Sequence, residues 1–187
     1  MSEETSEGER IDFLRANGLF RNTPVLGEET DELVNVGTIA PHGVGGNAAA
    51  MLEILRSPHI VPGPSDAGAH LLRASNAGFP TRLLGDWVRE RQALTLEQAV
   101  HLLSGRAAME LGIRNRGLLQ AGHAADVVLF DAETVGALDK EFVADLPGGG
   151  ERWIQRAEGI EAVIVNGESL IERGEATGRW SGQTLRG

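Results

Sequence analysis

The chain has no cysteine among its 187 residues. Disulfides and thiolate metal sites are excluded, and a cytoplasmic protein is the expectation. Positive charge is scarce: 17 Lys and Arg stand against 27 Asp and Glu, for a net charge of −10, and the basic residues form no run. Neither nucleic acid nor an anionic membrane is therefore expected as a partner. Aromatic residues make up only 4%, and Trp87, Trp153 and Trp180 lie too far apart in sequence to form a stacking platform. The acidic start, residues 1–10, has neither the positive n-region nor the apolar h-region of a signal peptide. Residues 33–52 carry no formal charge, but Pro41, His42, two asparagines and four glycines interrupt them, which argues against a membrane span. None of the five histidines pairs with another at H-x-H or H-x-x-x-H spacing. A catalytic zinc usually takes about three protein ligands, so a complete site of that kind is not legible here.

Hydrophobic residues reach 41%, enough for a core, and 25 glycines point to a loop-rich α/β chain. Residues 1–9 read as disordered, Ile11–Ala16 as a short helix, and Val34–Ile39 as a short strand. Asn47 suits the N-cap of a helix running to Arg56, with Ala50, Met51, Ile54 and Leu55 on one face and Pro58 as its stop. His59–Val61 then reads as a buried strand. Pro80 opens a helix through Arg91, with Leu83, Leu84, Trp87 and Val88 as its apolar face. Thr95 and Gln98 form a capping box for the next helix. Its apolar stripe is predicted at Leu96, Ala99, Val100 and Leu103. Ser104 is predicted to cap a third helix ending at Gly112.

After residues 112–116 the pattern turns to β. Gly117–Leu119 and Ala125–Phe130 read as strands. Asn166-Gly167 between Gly159–Asn166 and Glu168–Ile171 signals a hairpin, because both turn residues tolerate positive φ. Residues 132–158 read as a long excursion broken by Pro147-Gly148-Gly149-Gly150.

The chemistry concentrates in Ile60-Val61-Pro62-Gly63-Pro64-Ser65-Asp66-Ala67-Gly68-Ala69-His70. A short apolar stretch enters a Pro/Gly turn that delivers one carboxylate among small residues, with a histidine four positions on. The carboxyl end of a buried strand is where barrel enzymes place catalytic groups. A turn aspartate that caps nearby backbone N–H groups fits the same position, and His70 also suits a loop histidine with local hydrogen bonds. Ser65 lacks the glycine frame of a nucleophile elbow. The loop Pro41–Asn47 matches neither a dinucleotide fingerprint nor a P-loop and reads as a connector. His101 is expected on a helix surface, and His59 and His123 at a strand edge and in a turn.

In combination these residues resemble the metal-dependent amidohydrolases, in particular the amidohydrolase-3 group of N-acyl-D-amino-acid deacylases. Ser65–His70 is similar to that family's segment at the end of the eighth barrel strand. Leu83–Arg91 and Leu96–Gly112 resemble its last helical segments. Arg116–Asp126 resembles the re-entry into its small β-sandwich, Val163–Gly167 its terminal hairpin, and Gly182–Gly187 its closing tail.

The resemblance implies an α/β chain: the C-terminal portion of a (β/α)8 barrel followed by part of a small β-sandwich. Residues 1–45 would be a poorly defined N-terminal segment, 46–114 the last barrel strand and helices, and 115–187 the sandwich portion. It implies a hydrolase of non-peptide carbon–nitrogen bonds acting on a small-molecule amide, with Asp66 as metal ligand and catalytic base and His70 as a substrate-binding residue. It implies zinc, one or two ions in the complete enzyme. Roughly 110 residues precede the β segment, whereas a whole barrel takes roughly 250. The expectation is therefore the C-terminal part of such an enzyme, with little or no activity by itself. The alternatives are a non-catalytic remnant or a subunit that docks onto a partner chain supplying the missing barrel, or a cyclic-amide hydrolase or deaminase of the same superfamily.

Overall fold

In the computed structural model, residues 48–58, 60–62 and 77–185 are described. The expectations for residues 1–9, Ile11–Ala16, Val34–Ile39, His42, the Asn47 cap and His59 lie outside them. The chain divides into two units, Met1–Gly63 and Pro64–Gly187.

Within the first unit, helix α1 spans Ala48–Arg56. Ala50, Met51, Ile54 and Leu55 are its buried residues, the face that their spacing predicts. The Ser57 N–H turns back to Ile54 O at 3.1 Å, and Pro58 follows. Ile60 and Val61 are half-buried but irregular, so the expected strand over His59–Val61 is not formed there. Pro62 has no N–H to give to a ladder.

Within the second unit, α2 spans Phe79–Arg82 and widens into a π-helical stretch, Leu83–Glu90. Pro80 sits in its first turn, where its missing N–H costs nothing. The Arg91 N–H donates five residues back to Asp86 O at 3.0 Å. Leu83, Leu84, Gly85 and Trp87 are buried along this stretch, and Val88 is half-buried. The chain then folds back beneath Trp87, whose carbonyl accepts from Ala93 N at 2.9 Å and Leu94 N at 3.2 Å.

Helix α3, Leu96–Leu103, begins on the predicted capping box. Gln98 N donates to Thr95 Oγ1 at 3.2 Å, and Thr95 N to Gln98 Oε1 at 2.9 Å. Its buried residues are Ala99 and Leu102, whereas Val100 is 39% exposed. The stripe is rotated from the predicted one because α3 packs on two sides, against the π-helical stretch and against α4, Gly105–Glu110. Ser104 does not cap α4: its hydroxyl donates back to Val100 O at 2.7 Å.

The first strand is β1, Val127–Phe130. Gly117–Leu119 is a loop, not the expected strand: Gly117 has φ +80°, which an extended strand does not use, and Leu118 and Leu119 are exposed. Strands β2, Gly136–Leu146, and β3, Gly150–Glu158, form a long two-stranded hairpin turned by Pro147–Gly149. Here the expected excursion is regular structure. The strands present mostly exposed residues, with Asp139, Lys140 and Glu141 in succession, so no alternation marks them. Phe142 pairs with Trp153 across the strands, ring centroids 5.0 Å apart, and Arg152 grips Asp145 through two hydrogen bonds of 2.7 Å.

Strands β4, Ile160–Val165, β5, Glu168–Glu172, and β6, Glu175–Ala176, complete a second sheet in the order β1-β4-β5-β6, antiparallel throughout. The β4–β5 turn is the predicted Asn166-Gly167, at φ +50° and +83°. The hairpin β2–β3 joins the helices at its base. Val135 is 1% exposed, its carbonyl accepts from the Arg89 guanidinium, and a Cβ at Gly85 would lie 3.0 Å from that same oxygen.

Gly159 links β3 to β4 at φ +71°, and a Cβ there would meet Val135 N at 2.4 Å and Val135 Cα at 2.6 Å. Backbone cannot swing aside as a side-chain tip can. Gly159→Ala is therefore expected to cost about 3 kcal/mol in denaturant unfolding. Gly178→Ala, also at positive φ but with nothing within 4 Å, is expected to cost about 1 kcal/mol. Equal losses would show that close approach plays no part.

Candidate functional site

Asp66 and His70 lie outside the described residues, as do His42 and His59. Their chain neighbours on either side are Ile60–Pro62 and the turn Ala77–Gly78 that opens α2. That turn is held from a distance: Gly78 N donates to Gln155 Oε1 at 3.3 Å, and Thr81 Oγ1 to Gly78 O at 3.1 Å. The segment that carries Asp66 is thus followed by a helix start anchored to β3.

On α2, Asp86 and Arg82 form an ion pair one turn apart, Oδ2 to the guanidinium at 3.5 Å. Burial pushes the Asp86 carboxyl above its ordinary range, and the Glu90 charge adds to this; Arg82 and Arg91 oppose it. Asp86 Oδ2 and the indole Nε1 of Trp87 are both buried without a hydrogen-bond partner. The Arg91 guanidinium stacks on the Trp87 ring at 5.1 Å. These groups stabilise and orient α2. Besides Glu90, four residues on, the groups around Asp86 are the cations Arg82 and Arg91.

His101 is exposed on α3, as expected. His123 lies in a turn, its N–H donating to Gln120 O at 3.0 Å, with a buried Nδ1 that makes no hydrogen bond. Among the described residues, no three His, Asp or Glu side chains converge to hold a metal ion. The described residues therefore do not by themselves fit a zinc site.

The strongest polar cluster is one that sequence reading did not single out. The Arg116 guanidinium donates to Asp126 Oδ2 and, at 2.7 Å, to Asn166 Oδ1. Asp126 Oδ1 accepts the Asn166 backbone N–H at 2.9 Å. Asn166 Nδ2 donates to Ser181 O at 2.6 Å, and Ser181 Oγ to Val165 O at 2.6 Å. Burial works to raise the Asp126 pKa. The Asn166 N–H and the Arg116 guanidinium outweigh it and hold the carboxyl below its ordinary range. Arg116 and Asn166 stand fifty residues apart, so no local spacing announces the cluster.

The model of the Amidohydrolase family matches residues 23–171. The chain belongs to the amidohydrolase family. It is 42% identical over 101 residues to the N-acyl-D-aspartate deacylase of Alcaligenes xylosoxydans xylosoxydans, covering 54% of this chain and 18% of that protein. It is 38% identical over 123 residues to the N-acyl-D-glutamate deacylase of the same organism, covering 66% and 22%. Among solved structures it is similar to the N-acyl-D-glutamate deacylase of Bordetella bronchiseptica, which was complexed with zinc and a phosphonate inhibitor. That match has 39% identity and a TM-score of 0.42, over 55% of this chain and 20% of the other. The chain thus spans about a fifth of the length of these relatives. No described helix of this amidohydrolase is long and apolar enough to cross a membrane.

Asp126 in the unfolded chain titrates at about 3.9, above its folded value. Its ionised form stabilises the fold at neutral pH, and that contribution disappears as pH falls through the depressed folded value. Asp126→Asn is expected to lower Tm at pH 7 and to flatten the decline of Tm below about pH 4. Thermal melts across pH 2–7 (a range set by about 3.9) check this; an acid limb as steep as the wild type would refute it.

Proposed function

We propose that this chain forms part of a hydrolase that deacylates N-acyl-D-amino acids. The observation that carries the reading is the 38–42% identity to deacylases of N-acyl-D-aspartate and N-acyl-D-glutamate. The Ser65–His70 segment supports it, with a carboxylate set among small residues after a Pro/Gly turn. Residues 46–114 are the end of the barrel and 115–187 part of the small β-sandwich.

In this reading Asp66 is the catalytic base. It takes the proton of the attacking water and returns it to the leaving amide nitrogen, so one carboxylate serves both halves of the reaction. His70, four residues on, orients the substrate. Zinc is the proposed cofactor, with Asp66 as the ligand from this chain. When bound, such an ion supplies Lewis acidity and an activated water at neutral pH. One carboxylate cannot hold a catalytic metal, which usually takes about three protein ligands. The remaining ligands are proposed to come from the portion of the relatives' length that these residues do not span.

The test is a chimera: the Alcaligenes N-acyl-D-aspartate deacylase with its matching segment replaced by this chain. The chimera is expected to release D-amino acids, and Asp66→Asn within it to lower kcat about 10³-fold with little change in KM. The purified chain alone is expected to be inactive. A chimera that folds and opens only cyclic amides would replace the proposed substrate class, and full activity with Asn at position 66 would remove Asp66 as the base.

A further inference from the structure

The turn between β4 and β5 carries a chemistry of its own. Asn166-Gly167 is an Asn-Gly pair, in which the glycine nitrogen, with no side chain beside it, can attack the asparagine amide carbon. The new bond joins Gly167 N to Asn166 Cγ. Gly167 N gives up its proton, the Cγ–Nδ2 bond breaks and ammonia leaves. Water then opens the five-membered imide at either carbonyl. One opening leaves aspartate at position 166, and the other leaves an isoaspartate whose main chain is one methylene longer.

The fold acts on each reacting atom. The nucleophile is tied down: Gly167 N–H donates to Ala125 O at 2.9 Å, an acceptor too weakly basic to take the proton. The asparagine amide is clamped at both ends. Oδ1 accepts from the Arg116 guanidinium at 2.7 Å, and Nδ2 donates to Ser181 O at 2.6 Å. The Arg116 contact alone would favour attack, because a cation at that oxygen stabilises the oxyanion that forms. The restraint therefore lies in the position of the nucleophile. Asp126 fixes that position from the other side of the turn: Oδ1 accepts the Asn166 N–H at 2.9 Å, and Oδ2 accepts from Arg116.

We propose that Asn166-Gly167 is a deamidation site that the Arg116–Asp126 cluster keeps closed, and that its conversion loosens the segment around Ser181. The consequence follows from donors and acceptors. Asn166 Nδ2 is a donor to Ser181 O. A carboxylate oxygen in its place is an acceptor, so two acceptors face each other and the bond is lost. The new carboxylate also enters a cluster in which Asp126 already holds a negative charge, and both then share the Arg116 guanidinium. The isoaspartate form goes further: the added methylene moves the Asn166 N–H off Asp126 Oδ1 and the Gly167 N–H off Ala125 O. Ser181 keeps its hydroxyl bond to Val165 O at 2.6 Å, so the segment loosens without leaving the sheet altogether. Arg179, exposed and two residues before Ser181, is placed to report the change.

The test incubates the full 187-residue chain at mildly alkaline pH and follows amide-to-acid conversion at Asn166 by peptide mass spectrometry. The same measurement on the chain unfolded in denaturant gives the unhindered rate, calibrated by the other Asn-Gly pair, Asn17-Gly18. Asn166 is expected to convert at least about tenfold more slowly in the folded chain. Asp126→Asn is expected to speed conversion in the folded chain at least about fivefold. Gly159→Ala, which weakens the base of the long hairpin and leaves the cluster intact, is expected to stay within about twofold of the wild type. Asn166→Asp, a stand-in for the converted chain, is expected to be cut by trypsin after Arg179 at least about threefold faster. Equal rates in the folded and unfolded chain, or equal acceleration by Asp126→Asn and Gly159→Ala, would overturn the role of the cluster. Unchanged cleavage after Arg179 would overturn the loosening. Should Asp126→Asn fail to fold, the wild type and Gly159→Ala decide: protection kept in Gly159→Ala supports a local restraint, and protection lost with global stability overturns it.

Discussion

The Arg116 guanidinium sits mostly buried in an acidic chain, and the four-stranded sheet is organised around neutralising it. A buried charge is costly unless it is paired and its remaining donors are met. Asp126 pairs the charge, and the Asn166 side chain accepts from a second guanidinium nitrogen. Because Asp126 precedes β1 and Asn166 forms the β4–β5 turn, one side chain sets where the first strand begins and where the hairpin reverses. Asn166 carries the linkage on to Ser181, so the tail is drawn against the end of β4 by the same chain of hydrogen bonds. Gly167 N adds a bond to Ala125 O at 2.9 Å, which closes the turn onto the residue before Asp126.

A second constraint ties the helices to the long hairpin. Along the π-helical stretch Leu83–Glu90, Leu83, Leu84 and Trp87 form a buried side. Gly85 then lets the backbone of Val135 approach, and Arg89 reaches across to the Val135 carbonyl. Gly159 permits a second close approach at the same residue. Val135 is thus the point where α2, the base of β2 and the β3–β4 link meet. π-Helical turns are frequent near functional sites. Here the visible effect is mechanical: α2, which follows the Asp66 segment in sequence, is held rigidly on the hairpin.

Membership of the amidohydrolase family sets the chemical frame, and the length of the relatives sets its limit. A single carboxylate with a nearby histidine does not make a metallohydrolase. Among the described residues no three His, Asp or Glu side chains converge to hold a metal ion. Chemistry of this class needs groups converging from many strands.

Local signals carried much of this fold. The face of α1, the capping box of α3, the strand at Val127–Phe130 and the Asn166-Gly167 hairpin were legible because each depends on residues within a few positions of one another. The β2–β3 hairpin was not: its strands are charged and largely exposed, so period-two alternation never develops, and cross-strand partners such as Phe142 and Trp153 meet only in the fold. The buried stripe of α3 and the role of Ser104 were misread because helix neighbours, not helix periodicity, choose which side is covered. Of the candidate site, the sequence supplied a carboxylate and a histidine beside a Pro/Gly run, together with the resemblance to the family. Only the tertiary structure decided that Arg116, Asp126 and Asn166 form one cluster and that β1 pairs with β4, because both depend on contacts between residues dozens of positions apart.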